Sequence, residues 1–295
     1  MTLGHNGTGL RGARRTAVEL SPITDGDVAG VADFLRANLN DAVPWERCAS
    51  APWAGRSPNH GFMLRDGSRV VGALLALYSE RLVDGRVERF CNMGSWCVHP
   101  DYRARSISLL RALLAQDGYH FTVLTADVGP QEILAWSGFR PLDTSAALIP
   151  HLPWPNPLGR TRISSDPDVI GSTLVGTDLE LYRDHSEALA ADHLVLVRGG
   201  ESCYVAYRKS TFRNRPVALL LHVGNPDLFH RALLPLTGHL LVRHRLVATL
   251  AELQLIGRRP RASFAVNNWP RMFRSATLDP GCVDYLYSEL ACVPW

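Results

Sequence analysis

Ser95-Trp96-Cys97-Val98-His99-Pro100-Asp101-Tyr102-Arg103-Ala104-Arg105-Ser106-Ile107-Ser108-Leu109-Leu110 is the most telling stretch of the chain. Up to Val98 it reads as the end of a strand. Pro100 cannot donate to a sheet ladder and stops it. A short basic turn follows, and from Ser106 the apolar residues Ile107, Leu110, Leu113 and Leu114 fall on one helical face. A helix that starts directly after a strand leaves the N–H groups of its turn unpaired and pointing outward. With the positive end of the helix dipole they form a nest for an anion, worth about 0.3–1 kcal/mol at an exposed site. Arg103 and Arg105 add charge-assisted bonds, and a pyrophosphate fits such a turn.

Towards the N-terminus the turn is preceded by three strands, Gly61–Arg65, Val70–Leu82 and Val87–Val98. Asp66-Gly67 and Asp84-Gly85 fall at the reversals, which makes a meander of hairpins. Before them, Ala17–Pro22 reads as a strand and Asp25 as the cap of a helix through Asn38. After the turn come a helix, Ser106–Gln116, a strand, Phe121–Asp127, a short helix, Gln131–Trp136, stopped at Gly138, and a strand, Phe139–Ile149. Met1–Arg15 is Gly-rich and polar, a flexible arm. Its His5-Asn6-Gly7-Thr8-Gly9 lacks both the Gly-Lys-Ser/Thr ending and the preceding strand of a phosphate loop. His151–Arg160 carries Pro153, Pro155 and Pro157 and reads as a stiff linker.

The rest repeats part of this order. Leu179–Ala190 is a helix, and Leu194–Val197 and Cys203–Tyr207 form a hairpin around Gly199-Gly200. Val217–Val223 is a strand ending at Gly224-Asn225-Pro226, and Asp227 opens a helix to about Arg243. Val247–Ile256 and Tyr285–Val293 read as strands. The expected organisation is an arm 1–15, a first domain 16–150, a linker 151–160 and a second domain 161–295. Strand, turn, helix and strand occur at 87–127 and again at 215–256. The expected class is therefore α/β (α+β), a mixed, mostly antiparallel central sheet flanked by helices, duplicated in the second half.

On these residues the sequence resembles the GNAT (Gcn5-related N-acetyltransferase) superfamily. Its motif is a strand ending in V-x-P, then Arg/Gln-x-x-Gly-x-Gly/Ala at a helix start. Val98-His99-Pro100 and Arg103-Ala104-Arg105-Ser106-Ile107-Ser108 stand at those places. The order of elements agrees over residues 17–150 and more loosely over 175–295. The resemblance implies an N-acyltransferase of class EC 2.3.1. It would use acetyl-CoA or another acyl-CoA as co-substrate and no metal, and would transfer the acyl group directly to a small-molecule amine.

By the same resemblance, the backbone of Arg103, Ala104, Arg105, Ser106, Ile107 and Ser108 would hold the pyrophosphate of coenzyme A. Trp96, Cys97 and Val98 would pair their main chain with the pantetheine arm and polarise the thioester carbonyl. Gly94 would let the two central strands part. Glu88 is the expected base, with Glu80 and His120 as further candidates, while His99 caps the turn.

The pattern is broken in places. Ser106 and Ser108 replace two glycines, and a Cβ there crowds a phosphate. Leu134 stands where the family often has the Tyr that protonates the leaving thiolate, and Asp127 where an Asn is common. Tyr285 or Tyr287 would have to supply that proton from the second half. These departures keep open a non-catalytic GNAT-like module that binds an acyl-CoA or a protein. Transfer of a long acyl chain, or from an acyl carrier protein, is a further alternative. With Val223-Gly224-Asn225-Pro226-Asp227 and no basic turn, the second half is expected to have lost the cofactor and to support the acceptor site.

Composition narrows the field. At 295 residues, length suggests about two domains, and 46% hydrophobic with 20% charged residues excludes a largely disordered chain. A balance of 31 basic against 28 acidic residues gives no support for a nucleic-acid face. No apolar run approaches the roughly 20 residues of a membrane helix, and Met1–Arg15 shows no secretory signal. Cys48, Cys91, Cys97, Cys203, Cys282 and Cys292 contain no CxxC pair and read as reduced thiols in a cytoplasmic protein. Cys97 lacks a nucleophile's His–Asp pattern, and His222, His230, His239 and His244 lack metal-ligand spacing. Arg258-Arg259-Pro260-Arg261 reads as a solvated loop. Trp45 and Trp53 read as walls of an acceptor site or as core. An oligomer is allowed but not required.

Overall fold

The computed structural model describes residues 17–53, 57–125, 128–153 and 161–295. The arm, His5–Gly9, Asp127 and most of the expected linker lie outside them.

In chain order the first part contains β1 (Glu19–Pro22), α1 (Val28–Asn38), α2 (Trp45–Cys48), β2 (Gly61–Asp66), β3 (Arg69–Val83) and β4 (Arg86–Val98). A 3-10 turn, Pro100–Arg105, leads into α3 (Ser106–Leu114), β5 (His120–Val123), α4 (Val128–Trp136), β6 (Arg140–Pro141) and β7 (Ser145–Pro150). The second part contains β8 (Arg162–Ser164), α5 (Pro167–Thr173), α6 (Gly176–His185), β9 (Asp192–Arg198), β10 (Glu201–Phe212), β11 (Arg215–Val223), α7 (Pro226–Arg231) and α8 (Leu233–His244). It ends with β12 (Ala248–Glu252), α9 (Leu253–Ile256), β13 (Phe264–Asn267), β14 (Met272–Arg274) and α10 (Glu289–Cys292).

Among the described residues these strands form two sheets of seven, ordered β1-β2-β3-β4-β5-β14-β6 and β13-β7-β12-β11-β10-β9-β8. Read from β1 and from β8, the two orders match strand for strand. Only β4–β5 and β11–β12 pair in parallel. The duplicated, mostly antiparallel architecture expected from the sequence is present.

The sixth strand of each sheet comes from the other part of the chain. β14 pairs with β5 through Met272↔Val123 and Arg274↔Phe121, while β7 pairs with β12 through Ala248↔Pro150 and Glu252↔Ala146. The sheets thus do not divide at residues 151–160. Phe139–Ile149, expected as one strand, is two short ones in different sheets. Tyr285–Val293, expected as a strand, instead ends in the one-turn helix α10, capped by the Ser288 hydroxyl, which accepts from Leu290 N–H. Val247–Ile256 divides into β12 and α9.

The unbroken apolar run of β3 is explained by cover on both faces. Ala73, Leu75 and Leu77 pack with Val31 and Leu35 of α1, whereas Leu74, Ala76 and Tyr78 pack with Leu109, Leu110 and Leu113 of α3. A further core, including Phe90, Leu124, Phe273, Tyr204, Tyr285 and Leu290, joins the two sheets.

Candidate acyl-CoA site

The basic turn, Pro100–Arg105, is a 3-10 helix that bonds part of its own N–H groups. His99 Nδ1 accepts from Asp101 N–H at 3.4 Å and so caps it, with Pro100 at the first position. The side chains of Arg103 and Arg105 are exposed, and Arg105 Nη2 donates to Val18 O at 3.2 Å, fixing the turn to the lead-in of β1. Ser108 Oγ donates to Arg105 O at 2.6 Å. Its hydroxyl is turned back onto its own helix, and the Ser106 N–H is taken up by Arg103 O within the turn.

β4 and β5 diverge just beyond Asn92↔Thr122, their last parallel pair. Asn92 Nδ2 bonds Thr122 Oγ1 at 3.0 Å at the apex of this fork. Beyond it β4 bulges: Leu74 faces Trp96 and Ala76 faces Met93, so Gly94 and Ser95 together oppose Leu75. The fork opens onto a cavity of about 1030 Å3 lined by Met93–Trp96 on one arm and Val123–Thr125 on the other. Leu219, Leu246, Leu290, Arg208 and Arg271 from the second part of the chain close it.

Glu289, 1% exposed, brings a carboxylate to this wall. Its N–H donates to Asn92 Oδ1 at 2.9 Å, and its Oε1 accepts from Thr125 Oγ1. A Cβ on Gly94 would stand 3.6 Å from its Oε2, so the carboxylate lies directly beside the bulge. Arg208 secures the helix that carries it, donating through Nη1 to Leu290 O at 3.0 Å and through Nη2 to Val293 O at 3.3 Å.

Of the expected donor-site residues, Trp96 lines the cavity. Cys97 packs towards the α1 core and Val98 towards the α3 core, and neither is among the lining residues. Burial pushes the Cys97 thiol up, away from a nucleophilic thiolate. Arg103–Ser108 lie outside the cavity, on the exposed turn. Glu88 is at the opposite end of β4, six residues or about 20 Å of strand from Gly94. It pairs with His120 Nε2 at 3.0 Å and does not line the cavity. Glu80 and His120 do not line it either.

Trp45 and Trp53 are core residues, the latter donating to Tyr78 O at 2.7 Å. Trp269 and Trp295 line the cavity instead. Tyr285 and Tyr287 give their hydroxyls to Glu252 and Asp184. Leu134 lines the cavity and has no proton to give. The turn of the second half is filled from within: Asn225 caps α7, and a Cβ on Gly224 would collide with the Asp178 carboxylate.

The chain carries the GNAT fold twice over. It is similar to a probable N-acyltransferase of unknown function from Enterococcus faecalis, with TM-score 0.57, 13% identity, and 88% of this chain against 73% of that one. A GCN5-related N-acetyltransferase from Anabaena variabilis gives 0.55, 11%, 88% and 72%. Saccharomyces cerevisiae N-myristoyltransferase with bound myristoyl-CoA gives 0.50, 12%, 97% and 91%. At these identities the likeness is one of fold. No protein-family profile and no curated protein sequence matches the chain.

Proposed function

We propose that this protein is an acyl-CoA-dependent N-acyltransferase whose donor occupies the fork between β4 and β5. The observation that supports this most is the bulged stretch of β4, beyond its last described pair with β5, facing a cavity with a buried carboxylate beside it. The residues suit the donor: the turn at Arg103–Ser108 offers two exposed arginines to a pyrophosphate at the N-terminal end of α3, and the Ser108 hydroxyl is turned back onto its helix. The edge of Met93–Trp96 turned away from β3, which has no described strand partner, suits an amide-bearing arm laid alongside as an added strand.

In this reading Glu289, not Glu88, takes the proton. An amine nitrogen attacks the thioester carbonyl, the C–N bond forms, the C–S bond breaks and coenzyme A departs as the thiolate. The proton lost by the amine passes to the Glu289 carboxylate. Leu134 leaves the thiolate without a side-chain acid at that position, so its proton comes from water. The second half holds no donor, because Asp178 fills its turn, and serves as the far wall. We read the protein as cytoplasmic, the donor as acetyl-CoA and the acceptor as a small-molecule amine.

Release of free thiol from acetyl-CoA across an amine panel, with calorimetric binding of coenzyme A, tests this. Turnover is expected, with binding weakened about tenfold or more in Arg103→Ala/Arg105→Ala. Absence of binding by the intact protein would overturn the proposal. Tight binding with no turnover on any amine would establish a non-catalytic module instead. Preference for a long-chain donor or an acyl carrier protein would move the donor assignment.

A further inference from the structure

The cavity wall is unevenly charged. Among the described residues, Arg208, Lys209, Arg245 and Arg271 line it against the single carboxylate of Glu289. Lys209 is spent on Asp192 at 2.9 Å, but the two buried arginines are not fully spent.

Arg271 is 2% exposed and rigidly held. Its Nη2 lies 2.7 Å from Glu252 Oε1, and its guanidinium stacks 3.7 Å over the Tyr285 ring. Glu252 cannot turn to serve it further, because it also accepts from Asn268 Nδ2 at 2.5 Å and from the Tyr285 hydroxyl. Arg271 Nε and Nη1 are buried with no hydrogen-bond partner among the described residues. Such donors are costly to leave unmet, and the residue that carries them stands in the cavity wall. Arg208, 5% exposed, bonds only two main-chain carbonyls and has no carboxylate at ion-pair distance among the described residues. Its neighbours in the field are Glu289 and Arg271.

From this arrangement we infer that the cavity binds a substrate carboxylate at Arg271 and Arg208, with Glu289 facing the amine, so that the acceptor is an amino carboxylate of the amino-acid class. The inference rests on the acyl-transfer reading above. A free carboxylate could also arrive on the acyl group of a dicarboxylic acyl-CoA, and the chemistry at Arg271 is the same.

The test compares L-amino acids with their carboxamides as acceptors for acetyl-CoA. In a second arm, succinyl-CoA is compared with acetyl-CoA on an amine that has no carboxylate. The acid is expected to exceed its carboxamide in kcat/KM by about 100-fold or more, mostly through KM. In Arg271→Lys this ratio is expected to fall to within a few-fold of unity. Arg271→Met/Glu252→Gln, which leaves no buried charge unpaired, gives the same result if the lysine variant does not fold. Calorimetry with coenzyme A present gives a readout without turnover: the amino acid binds the intact protein and binds neither variant.

Equal use of acid and carboxamide by an active enzyme would overturn the inference and leave the acyl-transfer reading standing. A preference for succinyl-CoA would overturn the acceptor assignment and place the carboxylate on the donor. If neither donor reacts with any acceptor and coenzyme A does not bind, the parent reading fails and takes this one with it.

Discussion

At the scale of the residue, the candidate site depends on a carboxylate reached through tertiary structure. Glu289 is held by Asn92, 197 positions away in the chain, and by Thr125. Glu289→Gln keeps the shape and loses the proton acceptor. Turnover is expected to fall about 100- to 10,000-fold, with coenzyme A binding retained; calorimetry beside a thiol-release assay checks both. Glu88→Gln, which removes the charge that faces His120, is expected to leave the rate unchanged. Nothing in the sequence marks Glu289: Tyr285-Leu286-Tyr287 before it has the look of a strand, and a one-turn helix is too short to show a period. The turn at Pro100–Ser108, by contrast, is legible because Pro100, the arginines and the helical spacing act locally.

Histidine burial makes a second prediction at this scale. His151 bonds Leu246 O through Nδ1 and Thr249 Oγ1 through Nε2, each at 2.8 Å, and burial lowers it from 6.5 to about 4. Between those pH values the unfolded chain takes up the proton first, so stability falls as pH drops from 6.5 to 4. It is fully present above 6.5 and loses nothing more from this group below 4. The loss is on the order of 3 kcal/mol. Urea midpoints measured from pH 7 to 4 are expected to fall, and less steeply in His151→Gln.

At the scale of the element, the hairpins were readable because their turns demand particular residues. Asp84 and Gly85, with φ of +49° and +77°, make the reversal expected of Asp-Gly, whereas the first hairpin turns one residue later, on Gly67-Ser68, with φ of +61° at Gly67. Gly61 does something the sequence does not advertise. With φ of +111°, it starts β2 where a Cβ would overlap Leu74 O of β3. Gly61→Ala is expected to lower stability by more than about 2 kcal/mol in chemical denaturation. β7 and β14 were not separable from their neighbours, since a short apolar strand has the same pattern whichever sheet receives it.

At the scale of the whole molecule, the strand exchange and the shared core around Phe90, Phe273 and Tyr285 tie the two halves together by backbone pairing and packing. A fragment of residues 1–153 lacks β14 and α10, and with them a strand of its sheet and Glu289. It is expected to show no cooperative melting transition alone and to regain one when co-expressed with residues 154–295. The duplication itself was visible in the repeated order of elements. The reciprocal donation was not, because it depends on which partner a strand meets in space.

The fork between β4 and β5 is tested most directly by a crystal structure of the protein soaked with a non-hydrolysable acetyl-CoA analogue at saturation. The expected result is density for the pantetheine arm along Met93–Trp96, the pyrophosphate on the amides of Arg103–Ser108, and the acyl carbon facing Glu289. A fully formed cavity without such density, or ligand bound at the Asp178 turn of the second half, would contradict it.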